Sequence, residues 1–570
     1  MPSISQILES HVTTAMQLAG IPEGTPAVIK PSNRPEFGDY QINGIMGAAK
    51  KLGTNPRALA EQVMTHLQLT MASRTEIAGP GFINIHLDPA WLANQLSALN
   101  HTDLVEKTAT PQTVVIDYSG PNLAKEMHVG HLRSTIIGDA FARVLAAQGH
   151  HVIRQNHVGD WGTQFGMLIA HMLDQDNKDL TLQLADLEQF YREAKIRFDE
   201  EPEFAEAARQ YVVKLQAGDS QCLSHWQQFI DISLQHCEDV YKTLNVLLTR
   251  EDVQPESAYN AQLPLVITDL DKAGLLTEDN GAKCVFLDEF KGKNDTPLPT
   301  IVQKSDGGYL YATTDLAALK YRQESLGANR ITYFVDARQN LHLKQVFAIA
   351  KKARFVADET VLEHMAFGTM MDKSGKPFKT REGGTTKLIE LLEEAQQRAF
   401  ELVSTKNPDL DEQQRRDIGD IIGISAVKYA DLSKNRTTDY IFDWNAMLSF
   451  EGNTAPYLQY AYARIQSIFR KAGTVSSHAI VINEPSEHQL ALKLLQFNTA
   501  IEGVAKEGVP HYLCNYLFEL AGNFMTFYEA CPVLKADDDA KGSRLQLAKL
   551  TANTLKTGLG LLGIKTMDRM

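Results

Sequence analysis

The chain is 570 residues long, 44% hydrophobic and carries a formal net charge of −14, which at about 150 residues per domain is material for three or four cored domains. It holds no run of about 18 apolar residues and so no helical membrane span. Met1-Pro2-Ser3-Ile4-Ser5-Gln6-Ile7 has neither the basic nor the apolar region of a secretory leader, so a cytoplasmic protein is expected, and the acidic balance excludes one that grips nucleic acid by bulk charge alone.

From the N-terminus, Ile4, Ile7, Leu8, Val12 and Met16 recur at helical spacing and predict a first amphipathic helix. Ile45, Ala48 and Leu52, then Leu59, Val63 and Leu67, predict two more. Gly79-Pro80-Gly81 before Phe82-Ile83-Asn84-Ile85-His86 reads as a turn and a strand. These elements outline a small α+β domain over residues 1–108, with the polar stretch Asn100 to Gln112 as linker.

A second, α/β domain is expected over residues 111–390. It opens on Val114-Val115-Ile116-Asp117, a β-branched run suited to a buried parallel strand, stopped by Gly120, Pro121 and Asn122. His128-Val129-Gly130-His131 follows. Then Ile136, Ile137, Ala140, Phe141, Val144 and Leu145 recur at helical spacing. Strand, loop and helix N-terminus is the order in which α/β folds hold a phosphate, and Gly130, with no Cβ, lets backbone approach a ligand. Two imidazoles in that loop can also stabilise charge that develops on the phosphate during displacement.

Val152 to His157 predicts a second strand. Residues 168–280 read as a helical, charged insertion, after which Ile301-Val302-Gln303, Tyr309 to Asp315, Ile331 to Asp336 and Met365 to Met370 are expected to resume the strands. The helical stretches Leu316 to Glu324 and Leu343 to Ala353 alternate with them, the βαβ pattern. Met370 to Gly384 is a glycine-containing loop with Lys373, Lys376, Lys379 and Arg381, a mobile segment of phosphate-seeking charge. A helical connector over 391–452 and an all-α bundle over 453–570 complete the chain. The five cysteines form no Cys-x-x-Cys pair, so bound zinc is not expected, and their scattered count suits free thiols.

His128-x-Gly130-His131 resembles the first signature of the class I aminoacyl-tRNA synthetases. The wider string Ser119-Gly-Pro-Asn-x-Ala-Lys-x-x-His-x-Gly-His-Leu-Arg-Ser-Thr135, with Asn156-His-x-Gly-Asp-Trp-Gly-Thr-Gln-Phe-Gly166, is similar to the arginyl-tRNA synthetases among them. The resemblance covers essentially the whole chain. It implies a Rossmann-like catalytic domain with a connective insertion, an N-terminal domain that contacts the tRNA elbow and a C-terminal anticodon-binding bundle. It implies ATP with Mg²⁺, L-arginine and tRNA(Arg) as substrates, tRNA binding before activation, and a monomer. The usual second signature, Lys-Met-Ser-Lys-Ser, is missing, and the 370–384 loop stands in its place. A lysine before the first signature is thought to compensate in such enzymes, and Lys125 matches it.

By the same resemblance His128, His131 and Lys125 are catalytic. His128, Gly130, His131, His342 and the loop cations bind ATP. Asp117, Asn122, His128, Tyr311, Asp315 and Gln339 bind arginine, whose planar guanidinium pairs in bidentate geometry with carboxylates. Phe37, Tyr40, Gln41 and Asn43, with Tyr457, Gln459 and Arg464, touch tRNA, since aromatics beside amides suit unpaired bases. Other roles fit some of these residues equally well: Asp315 as a helix N-cap, the bundle tyrosines as core. Rival readings are a small-molecule nucleotidyltransferase, a catalytically dead tRNA-binding relative, and a cysteine or glutamate enzyme of the same class.

Overall fold

The protein is described from a computed structural model, over residues 3–32, 34–99, 103–174, 187–292, 295–378, 386–473 and 478–570. The first helix, Ile4–Leu18, starts at a Ser3/Gln6 capping box and buries Ile4, Leu8, Val12 and Met16, the stripe its spacing predicts. Helices Gly44–Leu52 and Pro56–His66 follow. They pack with a four-stranded antiparallel sheet ordered 29–31, 40–42, 82–87, 72–78.

The central sheet is parallel, in the order Val361–His364, Arg330–Tyr333, Thr113–Asp117, His151–Gln155. Helix Leu132–Ala147 joins its inner strand to the 151–155 edge, and helix Asn340–Lys352 joins 330–333 to the other edge. The alternation along the first strand sorts the two faces. Val114 and Ile116 belong to the core that contains helix 132–147, while Val115 packs in the core of helices Tyr311–Glu324 and Asn340–Lys352. The strand order therefore reverses between 113–117 and 330–333, where Asp117 stands opposite Tyr333. The crevice beyond the carboxyl ends of those two strands is where doubly wound folds bind ligands.

The insertion contains helices Thr163–Asp174, Leu187–Glu200, Pro202–Gln216 and Ser220–Thr243. The last of these is tied back to the core: the Tyr241 hydroxyl lies 2.7 Å from Ser119 Oγ and accepts from Asn156 Nδ2 at 3.0 Å. Three expectations fail beyond it. Met365 to Met370 is not a strand of the central sheet: that edge strand ends at His364, and Met370–Met371 pairs with Tyr440–Ile441 instead. Ile301-Val302-Gln303 does not resume the parallel sheet but is the third strand of an antiparallel meander, 276–279, 282–291, 297–303. Tyr309 to Asp315 is not a strand either, because the helix begins at Tyr311. The last two segments are apolar and β-branched enough for a strand, and such runs do not reveal their sheet partner.

Helices Leu388–Lys406 and Glu412–Leu432 form a hairpin. After the short helix Trp444–Met447 come Ala455–Ala472, Pro485–Leu495, Phe497–Glu507, His511–Ala530 and Asp538–Leu561. The N-terminal domain docks on this bundle through His488 and Asp39 at 2.9 Å and through Asn498, which accepts from the Glu106 backbone and donates to Leu104 O. Among the described residues no helix is long and apolar enough to cross a membrane.

Candidate active site

The first strand ends in a turn with Ser119 at φ +72° and Gly120 at φ +53°, and Ser119 N donates to Ser134 Oγ at 2.9 Å. Strand end and helix start are thus stitched to each other, and Ser134 Oγ in turn donates to Phe334 O at 2.5 Å. Within the loop, His128 Nδ1 accepts from Gly130 N at 3.0 Å, and His131 Nδ1 accepts from His128 N at 3.1 Å. The two rings lie 4.0 Å apart. A Cβ on residue 130 would meet the His128 ring at 2.7 Å, so glycine is required here to seat that imidazole, a reason the sequence does not reveal.

Burial, with His128 alongside, pushes His131 down to about 3, and burial with Lys125 nearby lowers His128. Both rings are therefore neutral at pH 7. With His128 Nδ1 held as an acceptor, its Nε2 carries the proton and is a donor; His131 Nδ1 lies 3.1 Å from the His128 amide and 3.3 Å from its carbonyl, and its Nε2 is a donor in the tautomer that accepts from the amide. Lys125 is exposed, its ammonium 4.3 Å from the centre of the Tyr191 ring.

At the strand crossover lies a cleft of about 520 Å³. Asp117, Glu256, Tyr311, Asp315, Gln339 and His342 are on its wall, and among the described residues neither lysine nor arginine lines it. Asp117 is not an open carboxylate as expected. It is 4% exposed and pairs at 2.7 Å with the fully buried Arg322, which also donates to Gln155 Oε1 at 2.6 Å. Arg322 stands eleven residues into the chain beyond Tyr311, and nothing in the local pattern marked it. Asp315 is not a helix cap, since Leu310 holds that position. Its Oδ2 lies 2.5 Å from His342 Nε2, a hydrogen bond that raises the His342 pKa. Tyr311, 70% exposed, opens the same helix.

Glu256 was not anticipated: it sits in a short 3-10 turn between insertion and meander. Burial, with Asp160 and Asp315 nearby, pushes its carboxyl up to about 7. Its only sequence cue is an isolated acid in a polar loop, which is no cue at all. Asn122 is exposed, pairs with Gly159 as an isolated bridge and accepts from Ala124 N at 3.0 Å.

The lysine loop is anchored at both ends. Met370–Met371 pairs in parallel with Tyr440–Ile441, and a tight turn over 372–376 with Gly375 at φ +75° carries Lys373 and Lys376. Lys373 Nζ meets Asp443 at 2.9 Å, with both groups solvated. Beyond the loop, Val129 N donates to Thr386 O at 3.1 Å and Leu388 N to Met127 O at 2.9 Å, so the chain returns against the histidine loop. Lys379 and Arg381 lie outside the described residues.

Three family models match the chain: an arginyl-tRNA synthetase N-terminal domain over residues 4–87, a class I tRNA synthetase (R) catalytic domain over 94–444, and a DALR anticodon-binding domain over 458–570. The chain belongs to the arginyl-tRNA synthetase family. It is 60% identical to an arginine–tRNA ligase of Hahella chejuensis and 58% identical to one of Chromobacterium violaceum, over 100% of each chain. In structure it is similar to the arginyl-tRNA synthetases of Plasmodium falciparum (TM-score 0.85, 30% identity) and Thermus thermophilus (TM-score 0.85, 25% identity), with both chains fully covered.

Against that family background, two expected tRNA contacts need correction. Tyr40 is 1% exposed and packed between the N-terminal sheet and the bundle, and burial pushes its hydroxyl up to about 12. Gln459 is fully buried, donating to Ser425 Oγ at 2.9 Å and Lys565 O at 2.8 Å. Phe37 is 40% exposed with Arg34 over its ring. Gln41 donates to Asn84 Oδ1 at 2.8 Å, while the buried Oδ1 of Asn43 has no partner. Tyr457 packs edge-on to Phe518, and Arg464 lies over the Tyr528 ring while lining a groove of about 660 Å³ with Tyr460, Arg470 and Arg569.

Proposed function

We propose that this chain is an arginine–tRNA ligase: it joins the carboxylate of L-arginine to the α-phosphorus of Mg-ATP, releases pyrophosphate, and passes the arginyl group to the terminal ribose of tRNA(Arg), releasing AMP. The observation that carries this is the acidic cleft at the strand crossover, with carboxylates and, among the described residues, no lysine or arginine on its wall, beside a phosphate-type helix N-terminus. Such a wall attracts a cation and repels anionic side chains.

Asp315 and Glu256, with Tyr311, take the guanidinium. Gln339 and Asn122 address the α-amino and carboxylate groups. His342 bridges the cleft towards ATP. Asp117 acts through Arg322, which is fully buried behind the wall, pairs with it and orients the strand end. The neutral Nε2–H groups of His128 and His131 donate to phosphate oxygens as negative charge develops there, assisted by backbone at Gly130. Lys125, Lys373 and Lys376, together with Lys379 and Arg381, supply cations to the leaving pyrophosphate. Positioning and charge stabilisation suffice, with no covalent enzyme intermediate. Activation waits for tRNA, whose elbow lies against Phe37, Gln41 and Asn43 and whose anticodon enters the groove at Arg464, Tyr460 and Arg569. The enzyme works as a monomer in the cytoplasm.

Charging of total tRNA with each of the labelled amino acids tests this. Arginine alone is expected to be attached; attachment of another amino acid would remove the cleft assignment, and attachment of none would leave a binding-only relative.

A further inference from the structure

Two residues past His131, Arg133 lies in the first turn of helix 132–147 and is 2% exposed. Its Nε meets Asp431, itself 1% exposed near the end of helix 412–432, at 3.0 Å. Its Nη1 donates to Thr438 O at 3.0 Å, and its guanidinium lies 5.3 Å from the centre of the Tyr440 ring. Tyr440–Ile441 is the strand on which Met370–Met371, the base of the lysine loop, is laid, and Thr369 N donates to Asp439 Oδ1 at 2.6 Å. Arg133 thus holds the histidine helix to the floor of the lysine loop.

The same segment reaches the bundle. Arg436 donates from Nε to Gly508 O at 3.0 Å and from Nη2 to Glu507 O at 3.2 Å, at the end of helix 497–507, and from Nη1 to Ala366 O. Residues 431–441 are therefore one connector with the bundle on one side and both phosphate-facing elements on the other.

A fully buried ion pair is a poor source of stability, because desolvating two charges costs about what their attraction returns. An apolar pair of equal volume would join these helices as well. It could not fix the direction of a bond to the Thr438 carbonyl, nor the azimuth of the helix that carries His131. We propose that the Arg133–Asp431 pair is a positioning device for adenylate formation, which sets the distance between the histidine loop and the lysine loop. It rests on the assignment of both loops to ATP made above.

The test is pyrophosphate exchange on the full chain with tRNA and arginine present, with thermal melting alongside, for Arg133→Met/Asp431→Leu, Asp431→Asn and His131→Ala. The apolar pair is expected to melt at or above the wild-type temperature. It is also expected to lose kcat by about 100-fold. KM for arginine stays as in the wild type, because Asp315, Glu256 and Tyr311 stand on other elements. Wild-type melting with wild-type kcat overturns the proposal. Should the apolar pair not fold, the near-isosteric Asp431→Asn decides, assayed well below its melting point: a wild-type kcat there also overturns it. A slow His131→Ala beside a fast apolar pair defeats this proposal alone, whereas a fast His131→Ala removes the ATP assignment and the proposal with it.

Discussion

The two halves of the active site are built in opposite ways. In the acidic cleft every charged group is half-buried or buried and most are held by a named partner: Asp117 by Arg322, Asp315 by His342. In the lysine loop, Lys373 keeps a solvated pair with Asp443, its side chain 69% exposed, on a tight turn. On the roles proposed above, the difference follows from what each half would handle. Choosing one side chain among twenty needs fixed, desolvated groups that leave a wrong substrate unpaired. Helping a pyrophosphate to leave needs charge that arrives with the transition state and then departs.

The strongest way to break this comparison is Asp315→Asn. Loss of a buried charge partner costs about 3–5 kcal/mol, so kcat/KM for arginine should fall about 1,000-fold at ~1.4 kcal/mol per decade, with KM for ATP little changed. Steady-state exchange with each substrate varied checks it, and an equal rise in the ATP constant would mean that the two halves are not separable. His131→Ala should do the reverse: a drop of about 100-fold in kcat, typical of a lost charge-stabilising donor, with the arginine constant preserved.

Glu256 sharpens the comparison through pH. Its carboxyl titrates at about 7, so the cleft gains a negative charge as pH rises through neutrality. Arginine binding should strengthen over that range; Glu256→Gln should shrink the step, leaving the part due to His342, and weaken binding about tenfold at pH 8. Stability runs the other way. Between the ordinary carboxyl value and about 7, the folded chain holds a proton that the unfolded chain has released, so stability falls as pH rises through that window. Melting temperature against pH for the wild type and Glu256→Gln would show it, and parallel curves would refute the assignment. The smallest effect belongs to Lys373→Ala. Its exposed pair should change stability by no more than about 0.5 kcal/mol in a denaturant melt, with the exchange rate lowered only a few-fold.

Legibility tracked the range of the interaction. The strand, the His-x-Gly-His loop and its helix were readable because they are contiguous, and the helical stripes of the N-terminal domain and the bundle because their period is local. Asp315, Tyr311 and Gln339, grouped from the sequence by resemblance, line one cleft. Glu256 and Arg322 were invisible because each matters through a neighbour far away in the chain. Tyr40 and Gln459 misled for the same reason: an aromatic or an amide on a predicted element looks alike whether its outer side meets solvent or another domain.

The amino-acid sequence by itself determined the class of fold, the order of the parts and the strand, His-x-Gly-His loop and helix that follow one another, since propensity and periodicity act over a few residues. Only the tertiary structure decided which carboxylates stand open. Asp117 and Asp315 both line the cleft, but Asp117 at its strand end is taken by a guanidinium from the chain's own interior, whereas Asp315 on its helix is bonded only by His342, itself on the cleft wall. That depends on the packing of helix 311–324 against the sheet, a long-range outcome that no local pattern encodes.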